Sequence, residues 1–193
     1  GSDIQSVIQR CKIVDQALSD GLVQSILKHM PGHGRALVDS HKKLPVVDTE
    51  LTELEATDFA VFKGLSDIKI AMTAHIIYTA LDPDNPVTLS EKAIEYIRNE
   101  LNFKGILLTD DLGMKALSHK IEENFELAIA AGCDIGLYCA GDINEMKKIA
   151  NHAKEIDKEL LKKFHKLNCF NDINPKLNEY REKIALLFEE MVA

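Results

Sequence analysis

The chain has 193 residues, of which 46% are hydrophobic and 28% are charged, a composition typical of a globular domain with a sizeable core. The formal net charge is −8 and no basic block stands out, which argues against a nucleic-acid-binding surface. The sequence has no apolar run of membrane-spanning length and no signal-peptide pattern, so we expect a cytoplasmic protein without membrane contact. Its four cysteines are widely spaced and include no C-x-x-C pair, which indicates reduced thiols.

The first half of the chain alternates helical and strand patterns. We interpret residues 1–2 as a tag remnant. Apolar residues at helical spacing predict an amphipathic helix over about residues 3–22, and an apolar run predicts a buried strand at about 24–29. Pro31 and Gly32 end that strand, and a long polar loop leads to an extended stretch at 44–47. Thr49 or Thr52 is the candidate N-cap of the next helix, Thr52 with Glu55 offering a capping box, and the helix is predicted to reach about Lys63.

The second half continues the alternation. A strand at about 68–73 is apolar enough to be buried on both faces. Ser90 is a candidate N-cap for a helix to about Leu101, and a third strand at about 105–109 ends at Asp110-Asp111. A helix or helix pair to about Ala131, a fourth strand at 134–138, and helical stretches at 147–166 and 176–192 complete the prediction.

This order indicates an α/β fold with a parallel sheet and right-handed crossovers. Polar residues at the ends of successive strands are typical of (β/α)8 barrels. Because only about four strands are counted, we predict a partial (β/α)8 TIM-type barrel over residues 3–142 and a helical C-terminal extension over 143–193.

The loop after the first predicted strand contains Asp39 and His41, two positions apart. In extended backbone this spacing puts both side chains on the same side. A carboxylate that binds one imidazole nitrogen fixes the tautomer and leaves the other nitrogen free to transfer protons. The spacing therefore suggests an acid/base dyad, with an ordinary solvated loop as the alternative.

Three blocks carry a family resemblance: KHMPGHGRALVDSH at 28–41, MTAHIIY at 72–78 and FKGILLTDDLGMKAL at 103–117. Their order and spacing resemble those of the β-N-acetylglucosaminidases of glycoside hydrolase family 3. The similarity extends over about residues 21–139 and is greatest to the cytoplasmic bacterial enzymes that remove N-acetylglucosamine from peptidoglycan fragments in cell-wall recycling. The N-terminal half of such proteins, with its acid- and glycine-rich block, has no counterpart in this sequence.

The resemblance implies a retaining glycosidase. In that reading Asp110 is the nucleophile, His41 is the acid/base and Asp39 is its partner. Asp111 points the other way in extended geometry and is expected to anchor the following loop or helix. A weaker alternative is that the acidic pair only begins a helix and complements its dipole.

The remaining polar residues of the blocks are candidate substrate contacts. Lys28 and His29 match sugar-hydroxyl ligands of the family. His75 is expected to line the pocket floor, Arg35 to meet an anionic part of a muropeptide or to face solvent, and His33 to support the turn. Although His29, His33, Asp39 and His41 are metal-ligand types, the proline and glycines suit a moving loop better than a coordination cage, so we expect no metal or cofactor.

The sequence suggests three candidate functions. The first is a glycosidase that releases terminal β-linked N-acetylglucosamine from a muropeptide or another β-N-acetylglucosaminide. The second is a half-barrel that binds sugar or a partner chain without turnover. The third is a receiver-type phosphoryl-transfer domain built on Asp110-Asp111, which is disfavoured because the sequence has neither the early acidic strand end nor the late lysine that such chemistry needs.

An open half-barrel exposes apolar surface. We therefore expect the chain to self-associate or to bind a chain that supplies the other half, and to have little activity alone.

Overall fold

The computed structural model describes residues 3–40 and 42–167. Within these residues the strands are β1 (Leu27–Met30), β2 (Val46–Val47), β3 (Ile70–Thr73), β4 (Ile77–Tyr78), β5 (Ile106–Asp111) and β6 (Ile135–Leu137). The helices are α1 (Ile4–Asp20), α2 (Leu51–Ala56), α3 (Asp58–Lys63), α4 (Glu91–Asn99), α5 (Ile121–Ala131), α6 (Ile143–His152) and α7 (Lys158–His165). A short 3-10 helix covers Val87–Leu89.

The main sheet contains four parallel strands in the order β1-β3-β5-β6. Ala71 of β3 pairs with Leu27 on one side and with Leu107 on the other. Helices connect the strands, as parallel pairing requires. The predicted α/β fold class and its four parallel strands are confirmed, and a partial TIM-type barrel is consistent with this sheet.

A second sheet was not predicted. β2 and β4 pair in parallel, with Val46 opposite Ile77 and Val47 opposite Tyr78. Two-residue strands leave too little alternation to be recognised in a sequence. This small sheet holds the end of the polar loop against the segment that follows β3.

The helix predicted up to Lys63 is divided into α2 and α3. Thr57, between them, has φ −129° and ψ −92°, outside helical geometry. The capping box predicted at Thr52 was wrong, because α2 begins one residue earlier, at Leu51, and its N-cap Glu50 makes no side-chain capping bond. The Ser90 cap of α4 is confirmed, since its hydroxyl accepts a hydrogen bond from the Ala93 amide at 3.1 Å.

Helices α6 and α7 account for the first part of the predicted C-terminal helical extension. The stretch predicted at 176–192 lies outside the described residues. Gly132 ends α5 in the left-handed conformation, with φ 108°, which suits glycine because it has no Cβ. None of the helices in the described ranges is long and apolar enough to cross a membrane.

The core lies between the sheet and its helices. Phe59 of α3 packs edge-on against Tyr78, with ring centroids 5.2 Å apart, and also contacts Tyr96 of α4. Burial of such large aromatic side chains is a main contribution to stability. This packing fixes the helices that support the loop after β1.

Candidate active site

Polar side chains gather at the carboxyl ends of β1, β3 and β5. His29 lies on β1, His75 follows β3, and Asp110 lies near the end of β5. The strands are parallel and adjacent in the sheet, so their carboxyl ends share one edge. In (β/α)8 barrels this edge carries the active site.

His29 and Asp110 form the closest pair of predicted site residues. The imidazole Nε2 lies 3.5 Å from Asp110 Oδ2, and the side chains are 27% and 15% exposed. Burial lowers the pKa of His29, and the Asp110 carboxylate partly opposes this shift. The Asp110 carboxylate thus lies beside an imidazole and on strand backbone, at the carboxyl end of β5.

The loop after β1 returns to this pair. His33 packs against His29, with ring centroids 5.3 Å apart, and its Nε2 lies 3.3 Å from the hydroxyl of buried Ser40. The Asp39 carbonyl accepts hydrogen bonds from the amides of Lys42 and Lys43, which close a turn. His41 lies outside the described residues, so the predicted dyad with Asp39 stays a prediction.

Arg35 connects the same loop, by ion pairs and a hydrogen bond, to the junction of α2 and α3. Its guanidinium binds Asp58 at 2.6 Å, Glu53 at 2.8 Å and the Thr57 hydroxyl at 3.1 Å. These carboxylates raise the pKa of Arg35. The guanidinium is thus engaged within the protein, and the anionic substrate contact predicted for Arg35 stays a prediction.

Asp111 behaves differently from its neighbour Asp110. Its Oδ1 accepts hydrogen bonds from the amides of Gly113 and Cys139, each at 3.0 Å. These bonds connect the segment after β5 to the segment after β6. The anchoring role expected for Asp111 from strand alternation agrees with this geometry.

His75 is fully buried, and both of its ring nitrogens have protein partners. Nδ1 lies 2.7 Å from the Thr88 hydroxyl and Nε2 lies 3.0 Å from the Asp111 carbonyl oxygen. Burial lowers the pKa of His75. In this conformation no ring nitrogen is left for a sugar hydroxyl, which does not favour the predicted direct contact of His75 with substrate.

Two residues of this region were missed by sequence reasoning. Thr88 lies in the 3-10 helix and carries the partner of His75, but a single threonine after a proline gives no signal of that role. Tyr78 is buried next to Gly32, where an added Cβ would lie 3.1 Å from the tyrosine hydroxyl. The absence of a side chain at Gly32 therefore lets the loop pass close over Tyr78.

Lys28 is exposed on β1, next to His29. Its positive charge also lowers the pKa of that imidazole. As for a metal, the described ranges contain no group of three His, Cys, Asp or Glu residues placed to share one ion. Lys28 and His29 place nitrogen atoms on β1, and that of His29 lies beside the Asp110 carboxylate of β5.

Residues 1–165 match the profile described as the glycosyl hydrolase family 3 N-terminal domain. The chain belongs to glycosyl hydrolase family 3. A β-hexosaminidase of Methylobacillus flagellatus is 29% identical over 171 residues, covering 86% of this chain and 49% of the relative. A β-hexosaminidase of Actinobacillus pleuropneumoniae serotype 3 is 41% identical over 118 residues, covering 58% and 34%.

Family 3 membership also agrees with a solved structure. NagZ from Neisseria gonorrhoeae, in complex with N-trifluoroacetyl-D-glucosamine, aligns with a TM-score of 0.74 and 30% identity. The alignment covers 83% of this chain and 48% of that one. The chain thus spans about a third to a half of the length of these family 3 relatives.

Proposed function

We propose that this chain carries the catalytic residues of a retaining β-N-acetylhexosaminidase. The observation that supports this most directly is the Asp110 carboxylate at the end of β5, 3.5 Å from His29 and 15% exposed. A partly shielded carboxylate on rigid strand backbone is suited to attack at a fixed position. The β-hexosaminidase relatives support the substrate class.

In the first step, an Asp110 oxygen attacks the anomeric carbon of a terminal β-linked N-acetylglucosamine. The bond to the leaving oxygen breaks as His41 gives that oxygen a proton, and a covalent glycosyl-enzyme forms. Asp39 holds the His41 ring in the required tautomer. His41 enters this step protonated and leaves it as a neutral imidazole, which adds no negative charge beside the glycosyl-enzyme in the next step.

In the second step, His41 removes a proton from a water molecule, which attacks the same carbon and releases Asp110. Two inversions give net retention. Lys28 and His29 bind sugar hydroxyls, and the contacts from His29 through His33 to Ser40 support the approach of the loop that bears His41. Peptidoglycan-derived fragments as the substrate, and a cytoplasmic location, are part of this proposal.

The test uses the full chain, assayed alone and together with the part of the M. flagellatus β-hexosaminidase that it does not match. We expect the pair to hydrolyse an aryl β-N-acetylglucosaminide with retention, and the chain alone to show little turnover because contacts that orient the ring are absent. A 5-fluoro N-acetylglucosaminyl fluoride should label Asp110, which peptide mass spectrometry would locate. Labelling of Asp111 instead would overturn the nucleophile assignment.

Variants separate the roles. Asp110→Ala should reduce kcat at least about 10³-fold, whereas Asp111→Asn, the neighbouring control, should reduce it far less. His41→Ala should slow a muropeptide by about 10²–10⁴-fold but affect an activated aryl glycoside much less, since that leaving group needs no proton. Sugar binding by the pair with no hydrolysis would favour a non-catalytic half-barrel.

A further inference from the structure

A line of buried polar groups runs beneath the proposed nucleophile. Thr73, His75 and Thr88 are all fully buried. The Thr73 and Thr88 hydroxyls are 2.8 Å apart, Thr88 lies 2.7 Å from His75 Nδ1, and His75 Nε2 lies 3.0 Å from the Asp111 carbonyl oxygen. Each of these groups must be hydrogen-bonded, because an unsatisfied buried polar group is costly.

Only one arrangement of protons satisfies a neutral ring. The Asp111 carbonyl can only accept, so His75 Nε2 carries the proton. His75 Nδ1 then accepts and the Thr88 hydroxyl donates to it. That hydroxyl has one proton, so at its other contact it accepts from Thr73.

The Ala74 carbonyl, 3.2 Å from the Thr88 hydroxyl, is the competing acceptor. If Thr88 donated there, its oxygen lone pair would face the lone pair of His75 Nδ1 at 2.7 Å, which is repulsive for a neutral imidazole. A doubly protonated ring would allow this alternative, but burial disfavours the charged form. The chain of donors therefore runs in one direction, from Thr73 to the Asp111 carbonyl.

The line ends on the backbone that orients the nucleophile. The Asp111 amide donates to Asp110 Oδ1 at 2.9 Å, while the Asp111 carboxylate is held by the amides of Gly113 and Cys139. The bond from His75 fixes the carbonyl on the other side of the Asp111 Cα. The Asp111 backbone is thus restrained on both sides, and with it the direction of the Asp110 carboxylate.

We propose that His75 is a positioning residue, which orients Asp110 by donating from Nε2 to the Asp111 carbonyl, while Thr88 donates to Nδ1 and holds the ring in place. This role rests on the proposed function, in which Asp110 is the nucleophile. His75 touches neither the sugar nor the reacting atoms. It acts through the backbone of the residue that follows the nucleophile.

Activity variants in the reconstituted pair test the role. His75→Phe keeps a ring but no donor, so kcat should fall by about 10²-fold, as small misplacements of a reacting group do, with KM little changed. His75→Gln should recover most of the rate, because its amide nitrogen can reach the same carbonyl. His119→Gln, at an exposed histidine, is the matched control and should behave as wild type.

A spectroscopic test needs no activity. In the isolated chain, ¹⁵N NMR of His75 should show a neutral ring protonated at Nε2 near pH 7. Thr88→Val removes the donor to Nδ1, so the Nδ1 resonance should shift toward that of a nitrogen without a hydrogen bond while Nε2 stays protonated, and Thr88→Ser, which keeps the hydroxyl, should restore the wild-type shift. A charged ring or an Nδ1-protonated ring in the wild type would overturn the proposal.

The outcomes separate the two proposals. Wild-type kcat in His75→Phe, with Asp110→Ala inactive, would overturn the positioning role and leave the nucleophile in place. Full activity of Asp110→Ala would overturn the proposed function itself. If His75→Phe fails to fold, the Thr88→Val and Thr88→Ser pair decides, and equal kcat in both would overturn the role of Thr88 and thereby the proposal.

Discussion

His29 of β1 and Asp110 of β5 approach within 3.5 Å although β3 lies between their strands. The two side chains therefore meet over the end of the central strand. A group held by this pair would lie directly above the residues that follow β3, where His75 is buried.

Stability should depend on pH through His29 and His75. Burial is the main cause of the lowered pKa of both rings. Below the ordinary histidine pKa of 6.5, the unfolded chain therefore binds more protons than the folded chain. The contribution of the two neutral rings to the free energy of unfolding should be fully present above that pH. It should be lost as the pH falls from there through the folded pKa.

Urea unfolding from about pH 8 to about pH 5 would measure this slope. His29→Gln and His75→Gln should each flatten it, and His119→Gln should not. The balance at His29 also includes Asp110, which raises the pKa, and His33 and Lys28, which lower it further. A slope unchanged in both glutamine variants would contradict the prediction.

Arg35 should hold the loop after β1 in place. Arg35→Ala removes the bonds to Glu53, Thr57 and Asp58, so amide hydrogen exchange should become faster across residues 31–40. Arg35→Lys keeps the charge but loses the planar fork, and it should show an intermediate effect. Exchange at wild-type rates in Arg35→Ala would show that the loop is held by other contacts.

Tyr78→Phe should stabilise the protein. Across the described residues, the buried Tyr78 hydroxyl is one of the few side-chain polar atoms without a hydrogen-bond partner. Its removal should raise the free energy of unfolding by about 1 kcal/mol. Tyr96→Phe is the control, because that hydroxyl donates to Glu55 at 2.9 Å and its loss should not stabilise. A lower melting temperature for Tyr78→Phe would contradict this.

The opposite end of the sheet should matter for stability alone. Asp134 Oδ2 accepts from Arg98 and from the Leu107 amide, each at 2.8 Å. Asp134→Ala would remove the bond to the Leu107 amide and the charge partner of Arg98, which keeps its bonds to the Phe103 and Gly105 carbonyls, and should cost about 2–4 kcal/mol in urea unfolding. Glu145→Ala, which breaks an exposed pair with Lys148, should cost much less.

The same variant gives an activity control. Asp134 precedes β6, at the edge away from Asp110, so Asp134→Ala should leave kcat of the folded reconstituted pair unchanged. A large loss of kcat at temperatures where the variant remains folded would show coupling between the two edges of the sheet.

Local patterns predicted several elements well. The apolar run before Asp110 indicated a buried strand that ends in carboxylates, and Ser90 indicated a helix start, because both signals depend on neighbouring residues. The break at Thr57 and the pairing of β2 with β4 were missed. In both cases contacts with other parts of the chain override weak local preferences.

The sequence predicted the alternation of the four main strands with helices, the family blocks and the acidic pair at the end of β5. Local sequence patterns did not predict that Arg35 binds Asp58 or that His29 faces Asp110. Nor did they predict that Thr88 and Asp111 engage both nitrogens of His75. These partners lie far apart in the chain. For His29 and Asp110 the meeting depends on strand order and register, because a change of register by one residue would turn these side chains to the other face of the sheet.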